Sequence, residues 1–176
     1  MGHPAAGLRP RWIFAQPFRR TAAGVEARLG AGEAQLLVQL CRDLADRLGE
    51  VDDRAPVGAG PLGRLFPDGY GDAERSAELR SLIQDDLRDA KIAAARTVVE
   101  TLSDLPPSRR VTLTDDEVEQ WLTALNDLRL FIGTQLGVTD DGEVVVADED
   151  GVSATAHDVF QVLSWLQSAL VDVLLG

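Results

Sequence analysis

Few side chains in this 176-residue chain can do chemistry at neutral pH: two histidines, one cysteine, and 29 carboxylates set against 17 basic groups. Catalysis needs a positioned acid, base, nucleophile or metal. Neither His3 nor His157 has a second histidine or a cysteine at metal-ligand spacing. Gly58-Ala59-Gly60-Pro61-Leu62-Gly63 matches the spacing of a dinucleotide-binding loop, but no strand precedes it and Pro61 sits inside it. Asp148-Glu149-Asp150-Gly151 is acidic like a calcium loop, yet it lacks the ligand spacing and the closing glutamate. The residues therefore predict no catalytic group, no metal site and no cofactor, and the chain reads as a non-enzyme.

Cys41 is the candidate redox residue. Being alone, it excludes an intramolecular disulfide, so any oxidised partner must be another molecule or a small thiol. It stands four residues after Leu37 and three before Leu44, on the apolar side of a predicted helix, where a thiol packs as a small hydrophobe. Arg42 points about 100° away on a helix and need not lower the thiol pKa. A second constellation is polar: Asn126, Asp127 and Arg129 interrupt one apolar helix, and Arg88, Lys91 and Arg96 lie in the helix before it. Asp127 is expected to pair with Arg88 or Lys91 across the helix interface, fixing register, with a ligand site as the alternative.

The elements that must position these groups are mainly helical. Trp12, Ile13, Phe14 and Phe18 favour strand, Thr21 to Gly24 reads as a turn, and Val25, Ala27 and Leu29 alternate after it, which predicts a hairpin. Leu36, Leu37, Leu40, Cys41, Leu44 and Leu48 predict a helix over 33–48, with Gly49 at its end. Residues 50–61 read as a loop and 62–66 as a single helical turn. A second helix runs from Asp72 to Leu102, with a break near Ser81 and a stop at Pro106-Pro107; its buried face holds Leu87, Ala90, Ala94, Val98 and Leu102. Thr114 and Glu117 form a capping box for a third helix lined by Val118, Trp121, Leu122, Leu125, Leu128, Ile132 and Leu136, stopped by Gly137. Glu143 to Ala147 reads as a strand able to pair with the hairpin, and Thr155 with Asp158 as the start of a last helix to Leu174. The expected architecture is mainly α (α+β): a flexible tail over 1–10, then one helical domain over 11–176 with about four main helices and a small sheet.

Charge is unevenly spread along this order. The net charge is −12, yet residues 1–30 hold Arg9, Arg11, Arg19, Arg20 and Arg28 against Glu26 alone, so the rest of the chain carries −16. An acidic body repels phosphate, which confines any DNA contact to the basic N-terminal arm and its five arginines. The stretch from Val159 to Leu175 is interrupted by Gln161, Ser164, Gln167, Ser168 and Asp172, and the N-terminus has no signal-peptide core. A cytoplasmic protein with no membrane contact is expected, in which a homodimer is compatible with the pattern.

Two blocks, Trp121 to Val138 (WLTALNDLRLFIGTQLGV) and Val162 to Leu174 (VLSWLQSALVDVL), resemble the signature blocks of an actinobacterial family of unknown function encoded beside the Clp protease adaptor ClpS. Arg64 to Tyr70 and Asp86 to Lys91 resemble two further segments of that family. Members are described as oxidative-stress transcriptional regulators. The resemblance implies a regulator of redox-defence genes that works through a protein partner, the transcription machinery being the expected one. The alternative it leaves open is an accessory or adaptor protein of Clp proteolysis.

Overall fold

In the computed structural model the described residues are 16–50, 62, 65–66, 77–105, 110–137 and 152–176, with the side chains of 77–84 and 152–154 excepted. Strands β1 (Phe18–Thr21) and β2 (Gly24–Arg28) form the expected hairpin. Helices α1 (Ala31–Gly49) and α2 (Ala77–Ser103) follow, then strand β3 (Arg110–Leu113), helix α3 (Asp115–Gln135) and helix α4 (Val152–Leu175). The protein is thus mainly α with a small three-stranded antiparallel sheet, in the order β1-β2-β3.

The sheet is built on its central strand. β2 pairs with β1 through Phe18↔Ala27 and Arg19↔Glu26, and with β3 through Val25↔Leu113 and Arg28↔Arg110. Alternation along each strand sends Phe18, Val25, Ala27 and Leu113 into the core. Gly24 opens β2 at φ +131, and a Cβ there would lie 2.3 Å from the Leu113 carbonyl oxygen. Only glycine fits both that backbone angle and that approach. The third strand is one the sequence did not announce, and it lies where a plain connection between helices was expected. The 143–147 segment expected to pair with the hairpin lies outside the described residues.

The helices pack in chain order, α1 on α2, α2 on α3 and α3 on α4, while α4 also touches β1. Trp121, fully buried, ties the sheet to the helices. Its ring meets Phe18 edge-on at 6.0 Å between centroids, and its Nε1–H donates to the Thr101 hydroxyl of α2 at 3.0 Å. Burying an indole demands such an acceptor, and Thr101 supplies it without leaving α2.

The helix ends follow from local chemistry, with three departures from expectation. α3 starts as predicted: the Thr114 hydroxyl accepts the Glu117 N–H, and the Glu117 carboxylate accepts the Thr114 N–H at 2.7 Å. Gly137 closes it at φ +65, its N–H donating to the Thr134 carbonyl. α1 instead runs through Gly49 and is capped by Glu50 in a right-handed conformation, so Gly49 is not a left-handed stop. At its start, the Glu33 carboxylate accepts the Gly30 N–H.

α2 passes Ser81 without a break, because a single serine among good helix formers costs too little to interrupt it. Its stripe is covered unevenly among the described side chains. Ala94, Ala95, Val98 and Leu102 are buried, whereas Ala90 is exposed and Leu87 is 39% exposed. α4 begins at Val152, so Thr155 and Asp158 lie inside the helix and do not cap it.

Within α4, Thr155–Leu175 is long and apolar enough to cross a membrane by length and composition, despite its polar interruptions. In this fold its Leu163, Leu166 and Leu170 are buried in the common core.

Candidate functional site

One surface, two helix interfaces and one buried thiol carry the charged and reactive side chains. The surface is the outer face of the sheet. Alternation that buries Val25 and Ala27 points Glu26 and Arg28 outward, and the registers set Arg19 beside Glu26 and Arg110 beside Arg28. Two arginines thereby flank one glutamate, with Arg28 opposite Arg110 on the same face. Glu26 Oε1 lies 3.1 Å from Arg19 Nη2 and 3.7 Å from Arg110 Nη1. Their side chains stay 64% and 47% exposed, so the glutamate orients both guanidinium groups without withdrawing them from water. Arg28 is exposed at the end of β2.

Of the five arginines proposed from sequence as nucleic-acid contacts, Arg19 and Arg28 thus share this face. Arg20 is exposed but falls on the opposite register, beside Val25. Arg9 and Arg11 lie outside the described residues. Arg110 joins the patch from far along the chain, and nothing in a linear reading marks it, because its place depends on β3.

The polar cluster expected within the helices divides in two. Between α2 and α3, Lys91 Nζ donates to Asp127 Oδ1 at 2.7 Å. Asp127 is 1% exposed, the one buried charged residue among those described, and its Oδ2 has no hydrogen-bond partner. Burial pushes this carboxyl above the usual carboxylate range, and the Lys91 hydrogen bond and charge pull it back in part. Arg88, the other expected partner, forms an ion pair at 3.2 Å with Asp85 on its own helix. Between α3 and α4, Arg129 Nε donates to the Ser164 hydroxyl at 3.0 Å, Nη1 donates to Gln167 Oε1, and the guanidinium lies over the Phe160 ring at 5.6 Å. Gln167 in turn donates to Asn126 at 3.4 Å. Ser164, Gln167 and Phe160 are the members that the sequence reading did not assign. Arg96 is exposed on α2.

Cys41 lies on α1 with no exposure, and burial pushes its thiol up to about 12. A thiol so placed is protonated at neutral pH and sealed from soluble oxidants in the native fold. His157 is exposed on α4, and His3 lies outside the described residues. Among the described residues no three His, Cys, Asp or Glu side chains come together as a group able to hold a metal ion. The glycine-rich segment 58–63 and the acidic segment 148–151 fall outside the described residues, apart from Leu62.

The chain is 30% identical, over an alignment of 183 residues, to proteins described as "Oxidative stress regulator AosR" from Mycobacterium bovis and Mycobacterium tuberculosis. Each alignment takes in 90% of this chain and 83% of the relative. No solved structure matches. Residues 15–174 match a family model described as "Domain of unknown function (DUF2017)". That match spans the sheet, the first three helices, α4 to within one residue of its end and every residue of the polar clusters, and the chain belongs to this DUF2017 family.

Proposed function

We propose that the chain is a non-enzymatic regulator of the oxidative-stress response that acts by contacting a protein of the transcription machinery. The observation that carries this reading is the 30% identity, along 90% of the chain, to oxidative stress regulators of two mycobacteria. The outer sheet face supports a contact of this kind. Arg19, Arg28 and Arg110 stand exposed on a rigid three-stranded platform, and guanidinium groups so displayed bind carboxylate surfaces bidentately. The acidic remainder of the molecule repels a duplex, which favours an acidic protein surface over DNA as the partner of this small patch.

Affinity capture of the tagged full chain from oxidant-treated and untreated cells tests the reading. Polymerase or a sigma factor is expected in the captured fraction, with recovery lost on Arg28→Glu plus Arg110→Glu. Recovery of Clp subunits in their place overturns it and returns the adaptor alternative. Salt-sensitive binding of the purified chain to DNA that survives the same two substitutions also defeats it.

A further inference from the structure

β3 is an edge strand, since the sheet order is β1-β2-β3 and no further strand follows among the described residues. Which of its backbone groups face outward follows from the register. The Arg28 N–H donates to the Pro17 carbonyl at 2.7 Å, so Arg28, Glu26 and Gly24 turn their backbone groups towards β1. Val25 and Ala27 therefore bond to the other side, to Leu113 and Val111 of β3. Arg110 and Thr112 alternate with these two and must aim their own N–H and C=O groups away from the sheet. Both residues are exposed, and among the described residues no hydrogen bond reaches those outward groups. Such an unpaired row is a template for another strand. The opposite edge differs, because α4 lies against β1.

We propose that an extended segment of the partner protein adds antiparallel to this edge as a fourth strand, with an acidic residue opposite Arg110. The proposal rests on the reading of the sheet as the face that meets the partner. Charge along the edge selects both the occupant and its direction. At one end Arg110 stands opposite Arg28, both exposed on the outer face. Just beyond the other end, Asp115 and Asp116 are exposed in the first turn of α3. An incoming strand is favoured with its acid at the arginine end and a cation at the aspartate end. Alternation sends its side chains opposite Arg110 and Thr112 to the outer face, and the one between them inward beside half-buried Val111. The segment so specified reads cation, apolar, hydroxyl, apolar, acid from its N-terminus. A second copy of this chain is a poor occupant, because β3 pairing on β3 brings another Arg110 and no carboxylate. Four residues offer few main-chain bonds, which makes the contact reversible and micromolar.

Fluorescence anisotropy of the full chain with a labelled peptide, Lys-Val-Thr-Val-Glu-Val-Glu, tests the edge. Saturable micromolar binding is expected. N-methylation of the threonine and the first glutamate removes the two N–H groups that face β3 and should weaken binding about tenfold. N-methylation of the first two valines, whose N–H groups face away, should leave binding within about twofold. Thr112→Pro deletes one outward N–H and spares the ladder to β2, so binding should fall about tenfold with circular dichroism and melting unchanged. Thr112→Val keeps that N–H and should bind as the wild type does. Arg110→Glu should reverse the preference, towards a peptide with lysines in place of the glutamates. A peptide that does not bind up to millimolar concentration overturns the proposal. So does equal binding of the two methylated peptides, the mark of charge attraction without strand pairing. Self-association that Thr112→Pro abolishes gives the edge to a second copy and also overturns it. Affinity capture separates this proposal from the regulatory reading. Polymerase or a sigma factor recovered equally by the wild type and Thr112→Pro sinks the edge and keeps the regulator. Peptide binding as described, beside capture of Clp subunits alone, keeps the edge and sinks the regulator.

Discussion

Replacing Lys91 by methionine removes the one cation within 2.7 Å of Asp127 and leaves a carboxylate that is 1% exposed, with its Oδ2 already unpartnered. Breaking a buried pair on one side costs about 3–5 kcal/mol, because the surviving charge has neither water nor counter-ion. The deficit must depend on pH, with a definite sign. Burial raises the Asp127 carboxyl above its unfolded value of about 3.9, so the native state holds its proton to higher pH than the unfolded chain does. Stability from this group is therefore greatest in acid and falls as pH rises from the unfolded value through the native one. Lys91 limits that fall, and without it the native value climbs further. The Lys91→Met deficit, read by urea unfolding under circular dichroism, should be full well above the raised native value and should shrink as pH falls through it, as the carboxyl accepts a proton. Adding Asp127→Leu should restore wild-type stability or exceed it, by up to about 1–4 kcal/mol, since matched apolar groups replace a desolvated pair. A deficit below about 1 kcal/mol at neutral pH, or one that grows on acidification, would refute the reasoning.

Other perturbations have equally definite outcomes. Trp121→Ala should cost roughly 3–5 kcal/mol in chemical unfolding, since it empties the fully buried junction between sheet and helices. Thr114→Ala should cost about 1 kcal/mol in the same assay by removing one half of the α3 capping box. Gly24→Ala should cost roughly 2–3 kcal/mol in thermal unfolding, because its Cβ meets the Leu113 carbonyl and the backbone angle is strained. Native protein should leave Cys41 unmodified by a thiol reagent at neutral pH, and denaturant should expose one equivalent. Because the native thiol sits near 12 against 9.0 for a free one, stability should also decline as pH rises from about 9 towards 12, and Cys41→Ala should flatten that decline.

What the sequence disclosed is what short-range chemistry decides. Thr114 and Glu117 satisfy each other's backbone donors within one turn, so the start of α3 is readable without knowing anything else. β3 is the opposite case. Arg110 to Leu113 is too short to show alternation, and only its pairing with β2 makes it a strand. The apolar stripe of α2 was legible as a pattern, but which of its positions are covered depends on the packing of other elements, and Leu87 is left 39% exposed. The polar cluster shows both sides. Asp127 announced a cation partner, yet Arg88 and Lys91 sit nearly one turn apart on one helix, and only the packing of α2 on α3 brings Lys91 within bonding distance. Ser164 and Gln167 looked like interruptions of an apolar helix. Their spacing of three matches that of Asn126 and Arg129, a reciprocal signal that gains meaning once α3 and α4 are known to touch.

The outer sheet face has a thermodynamic consequence. Arg19 and Arg28 come from the hairpin and Arg110 from beyond α2, so the three guanidinium groups converge only in a chain whose β3 has docked. The unfolded chain offers no such constellation, and a ligand of the patch distinguishes folded from unfolded molecules. By mass action, a partner present at 100 times its dissociation constant adds about 2.7 kcal/mol to the stability of the molecule it occupies. A bound molecule would then outlast a free one against proteolysis, and the amount of this protein in a cell would follow the amount of its partner.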